Sequence, residues 1–107
     1  MLDGKYLVVM TTCPGDEQAT RIAAALVEKK LAACVQASPI TSTYRWQGVI
    51  ETAPEVRLLI KGKAADYEAI AALIAAMHSY ENPEVLALAV TAGAPLYLEW
   101  IDAETRS

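Results

Sequence analysis

The side chains best suited to soft or borderline metal ions in this 107-residue chain are Cys13, Cys34, Met77 and His78. Glu81 and Glu84 follow the histidine as hard oxygen donors. Cys13 follows an apolar run and His78 closes a helical one, so the two are expected near one end of a sheet. A lone histidine excludes an HExxH site and any all-histidine zinc site within one chain. It also has a plainer use, as a contact favoured by the helix dipole at a C-terminus. Cys34, among Leu31, Ala32, Ala33 and Val35, reads as a small buried hydrophobe. A Cys13–His78 nucleophile–base pair lacks a catalytic signature and an orienting carboxylate, so no enzymatic activity is expected.

A second constellation is polar and aromatic: Tyr44, Trp46, Glu55, Lys61, Tyr80 and Glu84. Lys61 closes one strand, while Tyr80 and Glu84 lie in the loop that opens another. A lysine and two acids near one sheet end would form a cleft or an inter-subunit ion-pair network. Trp46 falls at a hairpin tip, where a solvated indole is unfavourable, and is expected to pack on another subunit.

Other chemistries lack their parts. The five glycines are scattered singly, with neither GxGxxG nor GxxxxGK[ST] to cradle a phosphate. RNA-recognition modules need basic and aromatic residues on the central strands; this chain has no Phe and a formal charge of −4. No nucleic-acid partner is expected.

The elements that must position these residues follow from periodicity. Lys5 to Thr12 is a β-branched apolar run that reads as a strand buried on both faces. Pro14-Gly15-Asp16 breaks it and opens a helix. There Ala19, Ile22, Ala23, Leu26 and Val27 make one apolar stripe, with Glu17, Gln18, Arg21, Glu28 and Lys29 kept off it. A second strand starts at Leu31, bends or bulges at Ser38-Pro39 and resumes from Thr41 to Trp46. After a turn at Gln47-Gly48, Val49 to Lys61 runs back, with Pro54 marking an edge or bulge. The two long arms make a hairpin that extends past the core sheet. Ala64 to His78 is a second helix with its stripe at Tyr67, Ile70, Ala71, Ile74 and Met77. Ser79 to Pro83 is a loop, Val85 to Thr91 a buried strand, and Leu96 to Ala103 a last short helix.

The order β-α-β-β-α-β plus a C-terminal helix predicts an α+β, ferredoxin-like antiparallel sheet, one domain over residues 1–107, with both long helices on one face. The composition is 54% hydrophobic and the mean hydropathy +0.25. A domain this small cannot hide so much apolar surface inside one copy. The longest apolar run, Ala69 to Met77, is about half the ~18 residues of a membrane span. The opening Met-Leu-Asp-Gly-Lys has no signal-peptide character. No membrane partner is therefore expected; the surplus points to an oligomer. Two cysteines without CxxC spacing fit reduced thiols and a cytoplasmic location.

Four ordered segments carry a family resemblance: TTCPGDEQATRIAAALVEKKLAACVQ, ITSTYRWQGVIETAPEVRLLIK, MHSYENPEVLALAV and PLYLEWI. Within them LVEKKLAACV, the Y-x-W-x-G of Tyr44–Gly48 and the H-x-Y-x-x-P-E of His78–Glu84 are the most specific. From Lys5 to Asp102 the chain resembles the CutA divalent-cation tolerance family. The resemblance implies a ferredoxin-like homotrimer similar to P-II signalling proteins, with hairpins wrapping adjacent subunits. It also implies an association with copper and other divalent metal ions, and no catalytic activity. Its copper ligands map onto Thr11, where the family has a cysteine, and onto Met77 and His78, where it has two histidines. His78 is the one ligand retained; Cys13 lies two residues past Thr11, and Ser79 stands where a proline is usual. Two functions are thereby expected in competition. One is a trimeric cation-tolerance protein using His78, Cys13, Met77 and Thr11. The other is a P-II-like sensory or scaffold trimer holding a small anionic ligand in inter-subunit clefts near Lys61, Tyr80, Glu84, Glu55 and Trp46.

Overall fold

A computed structural model describes residues 4–107. The elements run β1 (Tyr6–Cys13), α1 (Asp16–Glu28), β2 (Cys34–Trp46), β3 (Val49–Lys63), α2 (Tyr67–Met77), β4 (Leu86–Ala89) and α3 (Pro95–Glu104), with a 3₁₀ turn at Ala64–Asp66 leading into α2. The sheet order is β2-β3-β1-β4, all neighbours antiparallel. This is the expected ferredoxin-like α+β arrangement.

Strand alternation divides the sheet into two chemical faces. Leu7, Val9 and Cys13 of β1 join Val56, Leu58 and Ile60 of β3 under Ala19, Ile22 and Leu26 of α1 and Ile70 and Ile74 of α2. The opposite pleat carries Val8, Met10, Leu59, Leu86 and Leu88, which pair across adjacent strands. It is bare only in part: α3 lies over its Tyr6 end, where Tyr6, Leu98 and Ile101 form a second cluster. The Tyr6 hydroxyl donates to Asp102 Oδ2 at 2.5 Å and ties β1 to α3.

Several sequence expectations are corrected. Leu31 does not open β2. Lys30 adopts φ 59°, its N–H donates to the Val27 carbonyl, and the Leu31 N–H donates to the Leu26 carbonyl. That is a Schellman closure, and it spends Leu31 on capping α1, so pairing begins at Cys34. On α1, Gln18 is buried and Val27 exposed, the reverse of the expected stripe.

The bend at Ser38-Pro39 is absent as well: the β2–β3 register is continuous from Cys34↔Lys61 to Trp46↔Val49. Gln47 and Gly48, at φ 49° and 82°, form the two-residue turn, so Trp46↔Val49 is a hydrogen-bonded pair. Alternation from there puts Pro39↔Val56 and Thr41↔Pro54 at non-hydrogen-bonded positions. Each proline nitrogen then faces away from the β2–β3 ladder. Pro39 meets the open edge, and Pro54 lies beyond the last β1 partner, Val56. Neither costs a bond. β4, expected to be buried, is exposed along its length. Among the described residues it is an outer strand with only β1 beside it.

Gly62 marks the tightest approach. A Cβ there would fall 2.7 Å from the Leu31 carbonyl oxygen, a backbone atom held by the α1 closure. Gly62→Ala should lower stability by roughly 1–3 kcal/mol, the cost of overpacking. Gly15→Ala, where a Cβ meets open space, should change it far less; thermal melting of both checks this.

Candidate functional site

The expected metal ligands lie where β1 ends and α2 stops. The helix closes with the His78 N–H donating to the Ile74 carbonyl at 2.9 Å, and the chain then turns extended at His78. That turn sends the imidazole to β1, where Nε2 meets the Thr12 carbonyl oxygen at 2.7 Å. The Tyr80 backbone N–H donates to Nδ1 at 3.0 Å. A nitrogen that accepts an N–H carries no proton, so Nε2 holds the hydrogen and donates it to Thr12. Both ring nitrogens of the neutral imidazole are thereby used.

The remaining members of the set are no better placed. Thr11 and Cys13 are fully buried on the helix-facing pleat of β1. The Thr11 hydroxyl has no hydrogen-bond partner among the described residues. Burial first, and the charge of Glu55 second, push the Cys13 thiol up, away from the thiolate a metal needs. Met77 packs against the helix-side core. Among the described residues, no three His, Cys, Asp or Glu side chains converge on a point that could hold a metal ion. The residues present do not fit a preformed copper site.

The polar and aromatic constellation is brought together in large part. Past Cys13↔Val56, β1 ends while β3 and β2 continue as the free hairpin. The loop after His78 folds against that hairpin and leaves a cleft of about 1000 Å³. Tyr44, Trp46, Glu55, Tyr80 and Glu84 line it, with Thr12, Ser42 and Glu81. The Tyr80 hydroxyl donates to Glu55 Oε2 at 2.7 Å, and its ring sits 4.7 Å from that of His78. Lys61 is elsewhere. It lies under α3, where Nζ donates to the Tyr97 hydroxyl at 3.1 Å and stands 5.3 Å from the centre of that ring.

Two contributors escape the sequence reading. Thr12 acts through its carbonyl oxygen, which no residue-type argument reveals. Gln18 accepts the Ser79 N–H at 3.3 Å and fastens the loop to α1; its i−4 relation to Ile22 places it on the buried side.

A family model, the CutA1 divalent ion tolerance protein, matches residues 7–104. The mouse Protein CutA is 43% identical over 105 residues, covering 97% of this chain, which spans only 59% of that relative's length. The crystal structure of CutA1 from the psychrotrophic Shewanella sp. SIB1 superposes with a TM-score of 0.92 at 45% identity, covering 95% of this chain and 96% of its own. A protein from Archaeoglobus fulgidus, named a periplasmic divalent cation tolerance protein, superposes at 0.91 and 38% identity, over 92% of this chain and 97% of its own.

Desolvation first, then the hydrogen bond to Glu55, pushes the Tyr80 phenol up to about 12. The fold therefore favours the neutral phenol. The stability this supplies is complete below pH ~10, the ordinary tyrosine value, and is lost as pH rises from there through about 12. Titrating phenolate absorbance should show a late-ionising tyrosine, beside Tyr6, whose bond to Asp102 also pushes its phenol up; the Tyr80 component should be absent in Tyr80→Phe and moved to lower pH in Glu55→Ala. A Tyr80→Phe curve identical to wild type would contradict the assignment.

Proposed function

The chain belongs to the CutA1 divalent ion tolerance family, and from that premise we propose that it acts as a homotrimeric, non-catalytic metal-tolerance protein. The observation that carries the assembly is the uncovered half of the sheet. Leu86 and Leu88 are 55% and 54% exposed beside Val8, Met10 and Leu59, a continuous apolar surface across β4, β1 and β3. Surfaces of this kind are covered in use. Arg57, on the same pleat, has a buried Nε without an acceptor among the described residues, a group that an adjoining copy would satisfy. The resemblance to CutA supplies the number three. The hairpin tip adds Trp46, Val49 and Ile50, at 55%, 59% and 66% exposed, as a grip on the neighbour.

In this reading, contact with copper or another divalent ion is weak. His78 can offer a lone pair only by giving up Tyr80 or by rearranging its proton. The competing idea of an anionic ligand loses support, because the cleft carries Glu55, Glu81 and Glu84 while Lys61 stays with Tyr97. Among the described residues, no helix is long and apolar enough to cross a membrane. The free thiols of Cys13 and Cys34 suit a reducing cytoplasm.

Light scattering at low micromolar concentration should give about three times 11.5 kDa; a monomer would overturn the proposal. Trp46→Ala should lower assembly stability by roughly 3–5 kcal/mol, as for other large buried truncations, and unchanged stability would show a solvated tip. Calorimetry should find copper and zinc dissociation constants on the order of micromolar or weaker, about −8 kcal/mol at most. A nanomolar site removed by His78→Ala would contradict the reading.

A further inference from the structure

Within one chain, Arg57 is a cation without an anion. It lies on the outward pleat of β3, opposite Thr12 of β1 and Ser38 of β2, between Glu55 and Leu59. Its Nε is buried and has no acceptor among the described residues. The ion pairs among those residues are Lys5–Asp102 and Arg106–Asp66, and Arg57 belongs to neither. Glu55, the acid two residues back on the same pleat, has Oε2 engaged by the Tyr80 hydroxyl at 2.7 Å.

The opposite imbalance stands beside it. Glu55, Glu81 and Glu84 line the cleft between the hairpin and the loop after α2. No Lys or Arg is among the described residues that line that cleft. Its acids lack a cation, as Arg57 lacks an acid.

Covering the outward face decides what each must meet. A guanidinium keeps its charge at any ordinary pH. An apolar cover would strand that charge, and a backbone carbonyl would satisfy the N–H without neutralising it. The cover must therefore bring a carboxylate. Copies around a three-fold axis meet through unlike patches, so the face of one copy lies against a different part of the next. Glu55 is already engaged, which leaves Glu81 and Glu84. We propose that Arg57 of each copy reaches into the cleft of the next and pairs there with the carboxylate of Glu81 or Glu84.

This inference rests on the assembly proposed above and adds what selects it. The cleft that is open in one chain is closed by a side chain of its neighbour. The contact serves specificity more than strength, because a matched buried pair gains little and an unmatched charge costs heavily. Copies docked out of register would leave Arg57 buried alone.

Charge exchange tests the pair, read by sedimentation velocity over a dilution series with far-ultraviolet circular dichroism to follow folding. Arg57→Glu should sediment as a single folded chain at concentrations where the wild type is assembled. Adding either Glu81→Arg or Glu84→Arg to Arg57→Glu should restore the assembly. Arg57→Gln, a milder change, should raise the assembly dissociation constant about tenfold, and by clearly less where the paired acid is already Gln. Arg21→Glu, an exposed position on α1, which packs against the opposite pleat, should change nothing. Failure of both exchanges to restore assembly overturns the proposal. So does an Arg57→Glu protein that stays assembled, or equal dissociation in Arg21→Glu. If Arg57→Glu unfolds, the glutamine variants decide, and additive losses overturn the pair. A wild type that is a single chain removes the assembly reading itself; an assembled wild type indifferent to Arg57 removes the pair alone.

Discussion

The antiparallel ladder between β1 and β3, eight pairs from Tyr6↔Lys63 to Cys13↔Val56, fixes the rest of the molecule by its alternation and by where it stops. Alternation sends Val9, Leu58 and Ile60 to the helices and Val8, Met10 and Leu59 to the opposite pleat. One side is closed by α1 and α2 within the chain. On the other, the chain supplies only α3, which reaches the Tyr6 end and no further. An apolar half-face is thus a consequence of β1 being apolar on both sides, with Leu86 and Leu88 of β4 beside Val8 and Met10 on the outward one.

The end of the ladder matters as much. β1 stops at Cys13 while β3 and its partner β2 run on as a two-stranded hairpin. The step between the shorter and the longer strand is filled by the loop after α2. His78 locks that loop to the Thr12 carbonyl, and Gln18 holds Ser79. The histidine that would be read as a ligand is used as a bracket, with one nitrogen accepting and the other donating. What it supports is a cleft lined by carboxylates and aromatic rings.

Much of this was legible in the residues. The order of elements, the helix stripes of Ile22 with Leu26 and of Ile70 with Ile74, and the Gln47-Gly48 turn follow from local periodicity and backbone preference. The errors fall where the outcome depends on something non-local. A lysine rather than a glycine takes the left-handed position after α1, so the closure that consumes Leu31 has no compositional signal. Whether Pro39 breaks a strand depends on which way its nitrogen faces, and that is set by register across the sheet. The composition of β4 is that of a buried strand, but one chain leaves it exposed. Lys61 is six residues from Glu55 along β3, roughly 20 Å at strand rise, too far to share one cleft with it. The Tyr44, Trp46, Glu55, Tyr80 and Glu84 grouping was visible; the role of His78 in holding it was not, because a tautomer is decided by partners.

The central claim is that the apolar half-face is an interface between copies. Leu88 tests it most directly, because it sits opposite Val8 in the middle of that face and is exposed in the single chain. An aspartate there is harmless to an isolated fold and costly once the face is covered, where an unpaired charge would be buried. Sedimentation velocity of Leu88→Asp at low micromolar concentration, with far-ultraviolet circular dichroism alongside, decides it. The account predicts a folded single chain in place of the assembled species; a Leu88→Asp protein that sediments with the wild type as an oligomer would contradict it.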